Sequence, residues 1–501
     1  MRKIQVQVAV IGGSLGGVQA ARAAATCGKS VYLCEETDWI GGQLTSQAVP
    51  PDENRWIETQ GATASYLRYR KDVRDAYRNM RDASEEMRRL DRFCPGNSWV
   101  SRLAHDPRLA HRLLSSYLAP YVASGLVQIS LNTRPVRCEV AGDRIVSVTV
   151  QDERKEETCI LADYFLDATD CGDLLKLSGT EYRVGAESRA ETGERHAPDT
   201  ADPCDQQPCT WVAALELTPE RLPMEKPEMY DFFRKITIRG NVPQLGWQAW
   251  GATGLSTFAM FDGESEEKPL GLWTYRRIQY PPYYTDGRRE ISLLNWAQND
   301  YSLGNLIDDP QSERHRAGAR ELTRCCAYWL WEQGYPVRLC GEVLGTQDGL
   351  AKAPYIRESR RIVARKQIRE EEVAVYANPE PRRLPDSIGV GHYHIDVHMT
   401  TRSRFTIYEP AQPFEIPLSG MIPVRMRNLL PACKNIGATH LTGGCFRLHP
   451  VEWTVGEAAG YLAAFCLEHG VEPREVSERW TEDFQKVLVE HGFQLHWNCL
   501  D

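Results

Sequence analysis

The sequence holds no run of apolar residues long enough to cross a membrane as a helix, which excludes a transmembrane helix and a bilayer partner. Its first residues, MRKIQVQVAVIGG, carry too short an apolar stretch for a secretory leader, which predicts a cytoplasmic protein. No Cys-x-x-C pair occurs among the 15 cysteines, which are scattered from Cys27 to Cys499. Cys204 and Cys209 are the only closely spaced pair apart from the adjacent Cys325 and Cys326, so the four-ligand frameworks of zinc and iron–sulfur sites are missing and no metal is expected. An odd number of cysteines without a leader predicts reduced thiols. A basic stripe is lacking too. Lysine and arginine number 59 against 68 aspartates and glutamates, a formal net charge of -9, which argues against a nucleic-acid partner. Internal repeats and long low-complexity segments are absent. What remains is a chain of 501 residues, 42% hydrophobic and 25% charged, the make-up of an ordinary enzyme with two or more cores.

The stretch VAVIGGSLGGVQAARAAATCGKSVYLCEE, Val8 to Glu36, is the most informative. Ile4 to Ile11 reads as a buried strand, Val18 to Cys27 as an alanine-rich helix closed by Gly28, and Lys29 to Cys34 as a second strand. A glycine-rich turn between strand and helix places backbone amides where a nucleotide diphosphate meets a helix N-terminus. The G-x-G-x-x-G fingerprint falls on Gly12, Ser14 and Gly17, with serine in the middle position. Gly13 and Gly16 keep the loop open, and the Ser14 hydroxyl can donate a hydrogen bond. Glu35 ends the second strand about 20 residues on, where the fingerprint calls for a ribose-binding carboxylate. The other reading of Glu35 is a solvated strand-end carboxylate.

Two further segments bear on which dinucleotide. DWIGGQLTSQ, Asp38 to Gln47, brings a second glycine pair, Gly41 and Gly42, then Thr45 and Ser46. Near the C-terminus, Asn428 to Cys466 reads as a strand (Leu429 to Ala432), a glycine-bearing loop, and a helix starting near Pro450 with Gly456, Ala458, Ala459 and Gly460 on it. These segments resemble the FAD-dependent oxidoreductases of the glutathione reductase and succinate dehydrogenase flavoprotein superfamily. DATDCGDLLKLSG (Asp167 to Gly179), WTYRRI (Trp273 to Ile278), LLNWAQNDY (Leu293 to Tyr301), YIRESRRI (Tyr355 to Ile362) and HYHIDVH (His392 to His398) are similar to landmarks of one bacterial group within it, in the same order.

The resemblance implies an α/β fold: a glutathione-reductase-like FAD-binding Rossmann domain, with a central parallel sheet, helices on one face and a small β-meander, carrying an inserted α+β substrate domain. It implies FAD, bound noncovalently, with Cys445 and His449 as the covalent alternatives. Gly12, Gly13, Ser14, Leu15, Gly16 and Gly17 would hold the diphosphate, and Glu35 with Glu36 the adenosine ribose. Gly41, Gly42, Gln43, Leu44 and Thr45 would run beside the flavin. Val136 would meet the adenine, and Ala168, Thr169 and Asp173 would lie near the cofactor. His440, Gly443, Gly444, Val451 and Thr454 would face the pyrimidine edge, where a helix N-terminus stabilises the negative charge of reduced flavin.

The domain reading is discontinuous: 1–60, 118–200 and 415–470 bind FAD, 61–117 is a helical insertion, 201–414 a substrate or cap domain, and 471–501 a helical tail. Ala64 to Phe93 reads as one long amphipathic helix. Residues 185–208 read as a polar loop with few apolar anchors, a mobile lid or a crossing segment, and Val476 to His491 as one closing helix.

Catalytic groups are less marked. His392, His394, Asp396 and His398 alternate, so a strand would turn them to one side, with Arg402 beyond. Metal ligation, acid–base or anion-clamp duty, and structural hydrogen bonding are all open to them. His440 and Arg447 flank the Gly443–Gly444 pair. The histidine can shuttle a proton and the arginine can bind a substrate carboxylate, or pair with Glu452 or backbone carbonyls instead. The catalytic candidates are His394, His398, Arg402, His440 and Arg447. The activity expected is hydride transfer between a small-molecule substrate and flavin N5, with oxygen, a nicotinamide cofactor or a protein as acceptor, in a monomer or homodimer. The alternatives are a thiazole-forming type of enzyme that consumes its bound dinucleotide, and a flavin-binding interaction or tRNA-modifying module.

Overall fold

The computed structural model describes residues 2–251, 254–264 and 271–498, so Cys499 lies outside the described residues. The chain opens with strand β1 (Arg2–Ile11), helix α1 (Leu15–Thr26) and strand β2 (Val31–Cys34). Strands β3 (Val127–Ser130), β4 (Thr133–Ala141), β5 (Arg144–Asp152) and β6 (Glu157–Asp167) complete one sheet in the order β3-β2-β1-β6-β5-β4. β3, β2, β1 and β6 are parallel, while β5 and β4 fold back antiparallel as the meander. β6 is shared between the two parts. Its first residues pair with β5, and Phe165–Asp167 pair in parallel with the late strand Leu429–Pro431.

The alternation of β1 sets the two faces of this sheet. Val8 and Val10 enter a core shared with α1 and the helix His449–His469, whereas Ala9 and Ile11 enter a smaller core with Val148 and Val150 of the meander. The α/β fold, with its parallel sheet, one-sided helices and meander, is therefore the one implied by the resemblance.

A second core belongs to the inserted segment. It surrounds a four-stranded antiparallel sheet, in the order Arg277–Gln279, Ile291–Leu294, Ala213–Leu217, Val337–Leu339, backed by the helix Ser312–Glu332. Beyond it the chain returns to the first body, where Val373, Ile388 and Ile395 pack with α1 and the His449–His469 helix.

Three local expectations change. The charged stretch after Ala64 is not one helix: Ala64–Arg78 ends, and Ser84 caps a new short helix, Glu85–Arg89, by accepting the Met87 amide at 3.2 Å. The closing helix is two, Pro473–Arg479 and Thr481–Glu490, separated at Trp480, whose φ of -123° breaks the run. The polar loop 185–208 is anchored rather than loose. Buried Glu187 pairs with Arg361 at 2.8 Å, and buried Glu194 accepts the Thr439 hydroxyl at 2.6 Å. Part of its polarity is turned inward to hold other segments.

Candidate active site

The carboxyl ends of β1, β2 and β6 form a crevice, the usual ligand site of an open α/β sheet. The Gly12 amide donates to the Cys34 carbonyl at 3.1 Å. Gly12 has a φ of +104°, and a Cβ there would stand 2.3 Å from the Ala168 carbonyl oxygen, so only glycine fits. A cavity of about 600 Å³ opens at this point, within the range of small-molecule sites. Gly12, Glu35, Glu36, Val136, Ala168, Thr169 and Asp173 line it, all of them predicted cofactor residues.

Ser14, the departure from the fingerprint, caps α1 by accepting the Gly17 amide at 3.2 Å. The loop's amides divide into used and free. Gly13 donates to Glu35 at 2.9 Å and Gly16 to Glu452 at 3.1 Å. The amides of Ser14 and Leu15, both buried, have no acceptor among the described residues. Buried donors without partners are costly and rare. At a helix N-terminus they suit a diphosphate. Glu35 also binds the Thr37 amide at 3.0 Å and hydroxyl at 2.8 Å, and burial, reinforced by the Glu36 charge, pushes its pKa up to about 8. Hydroxyl donors from a ribose match that carboxylate. The donor set fits an adenine dinucleotide.

The late segment reaches the same loop. Gly456 of the His449–His469 helix packs directly on α1: a Cβ on it would lie 2.1 Å from the Gly16 carbonyl, and one on Gly460 would lie 2.3 Å from that of Ala20. Gln43 donates to the Arg447 carbonyl at 3.1 Å and also bonds the Glu452 carboxylate, tying the second glycine pair to the same helix start. A Cβ on Gly42 would meet Ser14 Cα at 2.9 Å, so this turn lies against the fingerprint. Gly41, with a φ of +113°, begins that turn, Leu44 is buried in it, and Thr45 donates its hydroxyl to Ile40 at 2.8 Å. At the late helix, the amides of His449 and Val451 have no acceptor among the described residues, as at α1. Thr454 spends its hydroxyl on the Pro450 carbonyl at 2.8 Å.

A family model described as FAD dependent oxidoreductase matches residues 7–488. The chain belongs to this family of FAD-dependent oxidoreductases, and its cofactor is FAD. No curated protein sequence matches the chain. Among solved structures, L-proline dehydrogenase from P. horikoshii shares 17% identity over 37% of this chain and 24% of its own length, with a TM-score of 0.19. A geranylgeranyl bacteriochlorophyll reductase-like protein from Thermoplasma acidophilum shares 11% identity over 99% of this chain and 85% of that one, at 0.34. The p-nitrophenol 4-monooxygenase of Pseudomonas putida shares 11% over 99% and 88%, at 0.37. Likeness this distant carries no argument about substrate.

In this flavoprotein the catalytic candidates separate into four settings. His440 is buried, and its Nδ1 faces both oxygens of Glu358 at 3.1 and 3.0 Å, while its Nε2 has no partner among the described residues. Burial alone would depress the imidazole pKa, but the Glu358 charge outweighs it and the net shift is upward. Glu358 is held down to about 2: burial opposes this, and His440 and Arg361 overcome it. The second setting is a chain of alternating charge. Arg357 donates to Asp300 at 2.9 Å, Asp300 bonds His398 Nδ1 at 2.6 Å, and His398 Nε2 lies 3.5 Å from Asp396. Arg447 closes it, donating to Asp396 at 2.8 Å and to the Tyr355 hydroxyl at 2.6 Å. Burial and Arg357 push the His398 pKa down, Asp396 and Asp300 push it up, and the net direction is upward. Two ends of the Arg447 guanidinium are thus already engaged, and not with Glu452.

Arg402 has the third setting. Its side chain is 62% exposed and pairs with Asp202 at 3.3 Å, outside the buried cluster. His394 stacks on Tyr408 with ring centroids 4.2 Å apart, and no three His, Cys, Asp or Glu side chains among the described residues converge as metal ligands. Gly443 and Gly444 do not line the large cavity. Gly444 packs on the strand Ile395–Val397, where a Cβ would meet Asp396 backbone at 2.7 Å. A small void lined by Arg357 and Glu358 shares Leu306 and Ile356 with the large cavity, so that cavity abuts the buried cluster. Cys445 donates to the Thr442 carbonyl at 3.2 Å, and burial raises its thiol pKa. His449 has both ring nitrogens engaged, with the Asp52 amide at 3.0 Å and the Val49 carbonyl at 3.2 Å.

Sequence reading missed the carboxylates that orient these histidines, Glu358 and Asp300, and the anchoring Glu187. They lie 82, 98 and 253 residues from the partners they hold, and no local spacing marks them. Gln47, whose Oε1 is buried without a partner among the described residues on the cavity wall, ends the DWIGGQLTSQ segment but was given no role there.

Proposed function

We propose that the flavoprotein oxidises a small organic substrate by hydride transfer, with His440 handling the accompanying proton. FAD, when bound, supplies a two-electron acceptor at flavin N5. Ser14 and Leu15 would hold its diphosphate, Glu35 its ribose, and the amides of His449 and Val451 the ring edge. The observation that carries the proton assignment is the bare Nε2 of His440. Its other nitrogen is fixed by Glu358, which sets the ring's orientation and tautomer, so a single nitrogen is left to take a substrate proton. Unpartnered buried donors nearby, Gln207 Nε2 and the Nε atoms of Arg357 and Arg447, favour a substrate rich in acceptors, such as a carboxylate or carbonyl.

The test is an anaerobic screen of hydroxy and amino acids for bleaching of the bound flavin, repeated on His440→Gln. The reading expects a substrate that reduces the parent's flavin and a variant that still binds FAD but is reduced roughly 100- to 10,000-fold more slowly. Equal rates in parent and variant would remove His440 from the chemistry.

A further inference from the structure

The walls of the large cavity come from two parts of the chain. Gly12, Glu35 and Ala168 belong to the Rossmann body, while Leu306, Ser312 and Arg316 belong to the inserted segment. Most charges on these walls are satisfied. Arg360 bonds Asp173 at 2.8 Å and Asp308 at 3.0 Å, and Lys176 bonds Asp308 at 2.6 Å. Arg316 is different. It rises from the first turns of the helix Ser312–Glu332, its side chain is 31% exposed, and its guanidinium makes no hydrogen bond among the described residues. Among the described residues its one ion-pair contact is Glu313, 3.9 Å away on the same helix, while the Glu36 carboxylate on the same wall is the strongest charge acting on it. A largely buried guanidinium with five donors and no acceptor calls for an anion or a flat π-face.

We propose that Arg316 holds the adenosine-diphosphate half of FAD, so that the inserted segment as well as the Rossmann body sets the cofactor's affinity. The inference rests on the reading of this cavity as the FAD site. A guanidinium forks onto phosphate oxygens and lies flat on aromatic rings, and adenosine diphosphate offers both. Among the described residues the side chain makes no hydrogen bond and only one long ion-pair contact, so its removal is expected to cost the apoprotein little.

Flavin-free protein titrated calorimetrically with FAD, ADP and adenosine tests this. Arg316→Ala is expected to weaken FAD and ADP together, roughly 10-fold or more, with the thermal midpoint of the apoprotein unchanged. Arg316→Gln, which keeps the reach and loses the charge, repeats the loss. Weakening of ADP alone among the fragments places the guanidinium on the phosphates, and weakening of adenosine as well places it on the ring; both support the proposal. A parent that binds FAD together with an Arg316→Ala variant of equal affinity for FAD and ADP overturns the role of Arg316. A parent that binds no FAD overturns this inference and the cavity reading beneath it.

Discussion

The amide of Gly16 donates to the carboxylate of Glu452 at 3.1 Å, across 436 residues of sequence. This bond joins the glycine-rich turn to the start of the late helix, and Lys434, 3.5 Å from the same carboxylate, keeps the buried charge compensated. Two helix N-termini, each with unpaired amides, are thereby held side by side.

That packing depends on missing side chains. Gly456→Ala would place a methyl 2.1 Å from the Gly16 carbonyl, and backbone cannot swing aside as a flexible side chain can. The variant is expected to lose about 1–3 kcal/mol in urea unfolding and to release FAD more readily. An unchanged unfolding midpoint would show that the two helices are not in contact there.

With His440 as the proposed proton acceptor, the Glu358–His440 pair is expected to set the pH response of flavin reduction. The Glu358 charge raises the histidine pKa, so the base form appears only above the ordinary histidine value and the reduction rate climbs with pH through that point. Glu358→Gln removes the charge and moves the inflection to lower pH. A profile that stays in place in the variant would contradict the pairing.

Glu35 predicts how the apoprotein responds to pH. Its folded pKa of about 8 lies above its unfolded value, so the folded chain holds the proton more tightly and stability falls as pH rises. Asp167 and Glu194, both raised by burial to about 7, act in the same direction. Buried His105, His392 and His449, each lowered to about 4, act the opposite way up to about pH 6.5, so the thermal midpoint of the apoprotein is expected to decline between about pH 6.5 and pH 8, and less steeply in Glu35→Gln. A rising midpoint across that window would contradict the assignment.

Arg402 serves as the control. Its exposed pair with Asp202 contributes little, so Arg402→Ala is expected to leave the unfolding midpoint and flavin reduction unchanged. A large loss of reduction rate would bring Arg402 back into the site.

The nucleotide half was legible because its signals are local. The turn from Ile11 to Val18 and the carboxylate at Glu35 lie within one strand–helix–strand unit, and backbone conformation there leaves no choice but glycine at Gly12. The late helix was legible through Pro450, Gly456 and Gly460 for a similar reason. The buried polar cluster was not, because its meaning lies in pairings between distant segments: Arg357 with Asp300, Glu358 with His440, Arg361 with Glu187. The run Arg357, Glu358, Arg360 and Arg361 reads in sequence as a charge cluster paired within itself, and Arg361 does bond Glu358, but no sequence signal names Asp300, His440 or Glu187 as the distant partners. The loop at 185–208 looked mobile for the same reason, since nothing local tells that Glu187 and Glu194 point inward.

The most direct test is a crystal structure of the chain with FAD. The account predicts one FAD per chain, its diphosphate within hydrogen-bond distance of the Ser14 and Leu15 amides and its ring edge against those of His449 and Val451. A flavin ring bound away from the late helix, with the diphosphate still on the glycine turn, would contradict it.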